Sequence, residues 1–175
     1  MNKLMTIILN LPGVLVEDYK QTGETLILVI KLQKTTASCP VCSLSSHHLH
    51  QIYRYLVRDL PIGSREVMLR VNRRRFKCKN CRKPFNENLA FLEKKKNFTK
   101  RYAQSIAEQV VHNDINNVAK NNKLTDEEEV WSMVKAVANK ILPVDVKKLH
   151  KLGINEISLV KKRKVYSCIS RFINT

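Results

Sequence analysis

The sequence has few acidic residues and no long apolar run. Its 175 residues include 15 Asp and Glu against 32 Lys and Arg, for a formal net charge of +17. A cationic surplus this large favours a polyanionic partner, most often nucleic acid, over the alternative of a merely basic soluble protein. The sequence contains no window of the ~18 uninterrupted apolar residues that a transmembrane helix needs, so we expect no membrane partner.

The N-terminus also lacks the features of a signal peptide. Residues 1–15 are mostly apolar, but Pro12 and Gly13 interrupt them, and the small-residue cleavage site is missing. We therefore expect a cytoplasmic protein. In a reducing compartment, paired cysteines favour metal binding over disulfide formation.

Four of the five cysteines form two C-x-x-C pairs. Cys39 and Cys42 are one pair, and Cys78 and Cys81 are the other. This spacing lets each pair turn both sulfurs toward one ion, which is typical of a zinc site closed by four thiolates. We predict one structural Zn²⁺ held by these four residues, with no open position for a catalytic water. The alternatives are two disulfides or four unrelated buried thiols.

Three histidines and several strand-like segments surround the cysteine pairs. Because four thiols are already available, we expect His47, His48 and His50 to face solvent or phosphate rather than the metal. Strands on both sides of each pair favour a zinc ribbon over a finger that contains a helix. The predicted strands are residues 14–19, 25–32 and the alternating stretch Val67, Leu69 and Val71, with turns at Thr22–Glu24 and Asp59–Gly63.

Basic residues are concentrated around the second cysteine pair and just after it. Residues 65–101 contain 14 Lys and Arg against three Glu. Such a concentration favours a binding surface over an ordinary solvated face. The predicted phosphate contacts are Arg73, Arg74, Arg75, Lys77, Lys94, Lys95, Lys96, Lys100 and Arg101.

The next part of the chain has helical periodicity. Thr99 is a candidate cap for a helix with Tyr102, Ile106 and Val110, and possibly Val111, on its apolar face. A short helix is predicted over residues 115–120. Thr125 and Glu128 have the spacing of a capping box. They would open a helix that reaches Leu142, with an apolar stripe of Val130, Met133, Val134, Val137 and Ile141 and with Trp131 beside it in the core.

This order of helices predicts a helix-turn-helix unit in which residues 125–142 enter the major groove. The N-terminal residues of a recognition helix normally face the bases, and here they are Asp126 and three glutamates. Four acids would be repelled by phosphates, although carboxylates can accept from cytosine, and the same acids suit a helix N-terminus for dipole reasons alone. We therefore expect the basic ribbon surface to be the main DNA contact.

Six short motifs follow one another along the chain: Leu11-Pro12-Gly13-Val14, the Cys39 pair, Arg58-Asp59-Leu60-Pro61, Arg74-Arg75-Phe76-Lys77-Cys78, Cys81 and Phe85-Asn86-Glu87. Their order and spacing resemble the N-terminal region of the ISL-three family of bacterial insertion-sequence transposases. That resemblance implies a zinc ribbon joined to a helix-turn-helix. It also implies recognition of the terminal inverted repeats of a mobile element.

The end of the sequence resembles the first strand of the family's RNase H-like nuclease. Two strands are predicted, residues 152–159 and 165–173, with Cys168 as a buried or free thiol in the second. Gly153-Ile154-Asn155-Glu156 is similar to the family's G-I-D-E segment, whose Asp is the first acid of a DDE triad that holds two divalent metals. Asn155 occupies that position here, and an amide is a poorer ligand for such ions. Since the sequence also stops at Thr175, before the other two acids, we expect a truncated chain with no nuclease and no catalytic residues.

Together these observations predict an α+β protein. We expect a β-rich zinc-ribbon domain at residues 1–98, a helix-turn-helix-like domain at 99–145 and a nuclease remnant at 146–175. The predicted function is DNA binding at transposon ends, with a second copy or a full-length transposase as a possible protein partner. The alternatives are a fragment that inhibits full-length transposase, a decaying remnant, and a nuclease completed by a separately encoded C-terminal half.

Overall fold

The computed structural model describes residues 2–93 and 96–138, and the backbone of residues 152–157 and 166–171. The chain divides into two compact units, Met1–Lys140 and Ile141–Thr175. Helices and strands are both present, which confirms the predicted α+β class, whereas the predicted domain limits at residues 98 and 145 stay predictions. No helix in the described part of the chain is long and apolar enough to cross a bilayer.

The first unit contains four helices and seven strands among the described residues. In chain order they are α1 (Lys3–Leu9), β1 (Val14–Thr22), β2 (Thr25–Leu32), β3 (Ala37–Ser38), β4 (Ser45–Ser46), β5 (Leu49–Ile62), β6 (Arg65–Lys77), β7 (Pro84–Asn86), α2 (Lys100–His112), α3 (Ile115–Asn121) and α4 (Glu127–Ala138). The second unit contains β8 (Leu152–Ile157) and β9 (Tyr166–Arg171), which pair antiparallel.

The main sheet has the strand order β1-β2-β6-β5, and β7 pairs with the far end of β6. β2 and β6 are parallel, and the other neighbours are antiparallel. Because alternate side chains of a strand point to the same face, the predicted alternation of Val67, Leu69 and Val71 buries all three on one face of β6. Their burial against Leu28 of β2 and Leu9 of α1 forms the first core.

The apolar N-terminal segment is a helix, because asparagines cap both of its ends. The Asn2 side chain accepts a hydrogen bond from the Met5 N–H at 3.0 Å. Asn10 ends the helix with a left-handed backbone (φ 44°), and its N–H donates to the Thr6 carbonyl. Asn is one of the few residues that tolerates this conformation.

The predicted turn over Asp59–Gly63 is wrong in its extent. β5 continues to Ile62, and only Gly63 and Ser64 turn between β5 and β6. Pro61 is accommodated because β5 is an edge strand with a register irregularity between Asp59 and Ile62, where a missing N–H interrupts no ladder. Asp59 is not a turn residue but a buried one.

Helices α2, α3 and α4 pack around a second core of Phe98, Ile106, Val118, Val130 and Met133. The predicted cap of α2 is confirmed, since the Thr99 hydroxyl accepts from the Tyr102 N–H at 3.3 Å. Val111 is 74% exposed and therefore lies outside the apolar face.

The predicted capping box of α4 is wrong by one residue. The Glu129 N–H donates to the Asp126 carboxylate at 2.9 Å, so Asp126 rather than Thr125 caps the helix. Thr125 instead donates its N–H and its hydroxyl to the Glu129 carboxylate. Trp131 is half-buried beside the stripe, while Ile141 and Leu142 lie outside the described residues.

The two strands predicted at the end of the sequence are confirmed as β8 and β9 over the residues that the structure describes there. Asn155 is the register partner of Cys168. The identity of this hairpin as the start of an RNase H-like sheet stays a prediction. The side chain of Cys168 lies outside the description.

Candidate metal centre and nucleic-acid interface

Each cysteine pair sits in the turn of a small antiparallel hairpin. Cys39 follows β3 and Cys42 precedes β4, and the second pair stands in the same way between β6 and β7. This is the predicted ribbon arrangement, with strands on both sides of both pairs. The fold thus brings residues separated by about 40 positions in sequence to one point.

The two turns have the same backbone design. The Cys39 N–H donates to the Leu44 carbonyl at 2.9 Å, and the Cys78 N–H donates to the Lys83 carbonyl at 3.1 Å. The residue after the second cysteine of each pair is left-handed, with φ 60° at Ser43 and 57° at Arg82. Each turn therefore curls back on its first cysteine and directs both sulfurs inward.

The four sulfurs form a compact cluster. Cys39 and Cys81 are 3.5 Å apart, Cys42 and Cys78 are 3.5 Å apart, and all four Sγ atoms lie within 4.8 Å of one another. A disulfide requires an S–S distance of ~2.05 Å, and the four thiols are free. Tetrahedral zinc with Zn–S distances of ~2.3 Å spaces its sulfurs ~3.8 Å apart. The cluster fits one structural Zn²⁺, as predicted from the sequence.

Backbone hydrogen bonds prepare two of the thiols as ligands. The Cys42 N–H lowers the pKa of the Cys39 thiol to about 6, and the Cys81 N–H lowers the pKa of Cys78. The Lys83 N–H lowers the pKa of Cys81, but burial and the neighbouring sulfurs outweigh it and raise that pKa to about 11. Metal binding requires thiolates, so the remaining protons leave when the ion enters.

The two turns are also fastened to each other by hydrogen bonds that the sequence did not indicate. The buried Ser46 hydroxyl donates to the Lys77 carbonyl at 2.8 Å, and the Lys77 N–H donates to the His48 carbonyl at 2.9 Å. Below them the rings of Phe76 and Phe85 stack with centroids 6.0 Å apart. The side chains of all three histidines are exposed, and none belongs to the sulfur cluster.

Arg74 was predicted to contact phosphate, but the structure places its guanidinium inside the protein. It donates to the Glu87 carboxylate at 2.6 and 3.0 Å and to the Lys34 carbonyl at 2.6 Å, and it lies 5.3 Å from the centre of the Phe76 ring. The Glu87 side chain is only 5% exposed. Arg74 therefore neutralises a buried acid, and its guanidinium is already hydrogen-bonded within the protein.

Arg101 was also predicted to contact phosphate, but its guanidinium is hydrogen-bonded within the protein. Its guanidinium pairs with both oxygens of Asp59, whose side chain is fully buried, and donates to the Leu9 and Asn10 carbonyls at 2.9 and 3.1 Å. Thr99 donates its hydroxyl to the same carboxylate at 2.6 Å. These bonds join the start of α2, the C-terminal part of β5 and the end of α1.

The other predicted contacts differ in accessibility. Arg73 donates to the Glu87 carbonyl at 3.3 Å, Arg75 to the Tyr53 hydroxyl at 3.3 Å and Lys96 to the Ser132 hydroxyl at 2.7 Å. Lys77 and Lys100 are exposed, and Lys94 and Lys95 lie outside the described residues. Around the sulfur cluster the cationic side chains form what we call the knuckle surface: Arg75, Lys77, Lys79, Arg82 and Lys83.

Comparisons with known proteins agree with the geometry. The family model described as the zinc-finger of transposase IS204/IS1001/IS1096/IS1165 matches residues 35–81, which contain all four ligands. The chain is 30% identical over 151 residues to the transposase for insertion sequence element IS1001 of Bordetella parapertussis. That alignment covers 83% of this chain and 36% of the relative, so the chain spans about a third of that protein's length. No solved structure matches the chain.

Proposed function

Because the chain belongs to the ISL-three family of insertion-sequence transposases, we propose that it binds the terminal inverted repeats of its own mobile element as double-stranded DNA. The observation that carries the proposal is the knuckle surface. The zinc site fixes the second cysteine turn, and the five cations lie within this turn or directly beside it, in a chain whose net charge is +17. Phosphate contacts of this kind supply affinity and position a protein on the duplex.

Position in the fold separates the cations that can reach DNA from those that cannot. The side chains of Lys77 and Lys79 are exposed and have no hydrogen-bond or ion-pair partner in the described part of the chain. Arg74 and Arg101 are held by buried carboxylates, so we leave them out of the proposed surface. The proposed phosphate contacts are the knuckle surface and the exposed Lys100: Arg75, Lys77, Lys79, Arg82, Lys83 and Lys100.

Salt dependence tests the proposal directly. The full chain with zinc is titrated with a duplex from the end of its element over a range of salt concentrations. Each neutralised phosphate contributes about −0.9 to the slope of log K against log salt. The double variant Lys77→Ala with Lys79→Ala should make the slope shallower by about 1.8. Lys3→Ala with Lys20→Ala removes the same charge from exposed positions away from the cysteines and should leave the slope unchanged.

Two outcomes would contradict the proposal. Equal slope changes in both double variants would show that net charge alone binds DNA, without a defined surface. Undetectable binding at low salt would remove DNA as the ligand. Preference for the terminal repeats is a separate readout, measured as the ratio of affinities for the repeat duplex and for a shuffled duplex of the same composition.

The proposal includes a cytoplasmic, nucleoid-associated location and no nuclease activity of this chain's own. Asn155 stands where the family has its first catalytic acid, and its amide is a poor ligand for a divalent ion. An incubation of supercoiled plasmid carrying the element's ends with the chain and Mg²⁺ should leave the DNA uncut. Cleavage that depends on Glu156 would overturn this part of the proposal.

A second candidate function, binding to a full-length transposase, is favoured by an apolar strip beside the metal centre. Val41 and Leu44 of the first turn are 62% and 53% exposed, and Leu49, Ile52 and Leu56 of β5 are also exposed. Among the described residues, no strand pairs with the outer edge of β5 along this stretch. Exposed edges and contiguous apolar residues are typical of interaction surfaces. Co-purification with the full-length protein that is lost in Leu44→Lys with Ile52→Lys, but kept in Lys77→Ala, would support this role.

A further inference from the structure

The outward face of α3 consists of amides and one lysine. At 100° per residue its exposed residues fall within an arc of about 140°, and the buried side chains of Val118 and Ala119 lie on the opposite side. The exposed residues of this arc are Asn116, Asn117, Lys120 and Asn121. The face therefore offers donors, acceptors and positive charge, and no acid within the helix itself.

Helix formation does not explain this composition, because Asn is among the weaker helix formers. Asn117 and Asn122 have local roles: Asn117 donates to Asp114, the N-cap of α3, and Asn122 donates to Gln109 and to the Val118 carbonyl. By contrast, the side chains of Asn116 and Asn121 have no hydrogen-bond partner in the described part of the chain. Their amides are available to a ligand.

Helix α4, the recognition helix expected from the order of the helices, has the opposite character. Its first turn exposes Glu127 and Glu128, and Asp126 caps it. These carboxylates would lie against phosphates if the N-terminus of α4 entered a groove, and like charges at such distances repel. The acids are explained by favourable interaction with the helix dipole.

We propose that α3, and not α4, reads the base edges of the DNA. An Asn amide can bond both N6 and N7 of adenine in the major groove, and a lysine can bond O6 and N7 of guanine. Asn116 and Asn121 are the proposed base-reading residues, with Lys120 between them. A seven-residue helix is about 10 Å long, which spans about three base pairs at 3.4 Å each. The inference rests on the proposed DNA binding and assigns its sequence preference to α3.

The experiment uses the full chain with zinc and a library of random duplexes. Selection should enrich an adenine-containing block of about three to four base pairs, and the enriched duplex is compared with a shuffled one. Asn116→Ala with Asn121→Ala should reduce the ratio of the two affinities about tenfold or more, while binding to the shuffled duplex changes less than twofold. Because Ala is the better helix former, this variant should melt no lower than the parent, which separates base reading from a structural role.

The matched control changes the competing helix. Glu127→Gln with Glu128→Gln should strengthen binding to both duplexes by the same factor and leave their ratio unchanged. A ratio that responds to the α4 variant and not to the α3 variant would overturn the inference. Enrichment of no sequence, with salt-dependent binding intact, would also overturn it and leave the proposed function standing. Undetectable binding to every duplex would overturn both.

Discussion

The buried pair of Asp59 and Arg101 gives the sharpest stability prediction. The Asp59 carboxylate lies near the C-terminal end of β5, has no exposed surface and accepts hydrogen bonds from Arg101 and Thr99. Arg101 also donates to two carbonyls at the end of α1. Arg101→Ala therefore leaves a buried charge with a single hydroxyl donor and removes the bonds between the start of α2 and the end of α1.

The expected cost is large. Removing one partner of a buried ion pair typically costs about 3–5 kcal/mol, because the remaining charge is left without compensation. A loss of about 4 kcal/mol lowers the ratio of folded to unfolded protein about a thousandfold. That is a substantial part of the 5–15 kcal/mol expected for a domain of this kind.

Urea denaturation at saturating zinc measures this loss, with Trp131 fluorescence as the probe. Lys100→Ala is the matched control, since it removes a neighbouring exposed cation and should change the unfolding free energy by no more than about 0.5 kcal/mol. The double variant Asp59→Ala with Arg101→Ala should lose less unfolding free energy than the two single variants lose together, by at least about 2 kcal/mol. Residues in contact have non-additive effects on stability.

A different result would refute the reasoning. If Arg101→Ala changed the unfolding free energy by less than 1 kcal/mol and weakened DNA binding instead, the guanidinium would be acting at phosphate. That would restore the role expected from the sequence. The same assay on Arg101→Lys should give an intermediate loss, since lysine keeps the charge and loses the fork of donors.

Three further predictions concern the ribbon. Elemental analysis should find one zinc per chain. Chelation of the zinc, or the variant Cys42→Ser, should unfold the ribbon because structural zinc contributes folding free energy, and the unfolding should reduce the far-ultraviolet circular dichroism signal. Ser43→Gly and Arg82→Gly should each raise the unfolding free energy by about 0.5–1 kcal/mol. Glycine adopts the left-handed backbone without steric cost, and this gain exceeds the conformational entropy that glycine loses on folding. A lower unfolding free energy would show that the two turns are unstrained. Arg74→Ala should cost about 3–5 kcal/mol by stranding Glu87, and a loss of DNA affinity at unchanged stability would contradict that.

Two of the motifs that carry the family resemblance meet in space. Arg74, at the start of one motif, bonds Glu87, at the end of another, and Asp59 of a third motif pairs with Arg101. The acids in these motifs are buried and neutralise arginines, so these parts of the motifs stabilise the ribbon and its junction with the helices. The exposed cations between them are the ones that we propose as DNA contacts.

The sequence by itself determined whatever depends on short spacing. The two C-x-x-C pairs specify the zinc ligands because each turn is built within a few residues. The alternation of Val67, Leu69 and Val71 specifies which face of β6 is buried, and Thr99 specifies where α2 begins. These features follow from local backbone geometry, which a linear pattern records.

Only the tertiary structure decided what each charge does. Arg74 and Arg75 are adjacent and chemically identical, but successive residues of a strand face opposite sides, and β7 brings Glu87 to the side of Arg74. Asp59, a typical turn residue in sequence, is buried because Arg101 arrives from 42 residues away to neutralise it. The local sequence pattern does not show which distant residues will meet, so the internal ion pairs of Arg74 and Arg101 could only be found in the folded structure.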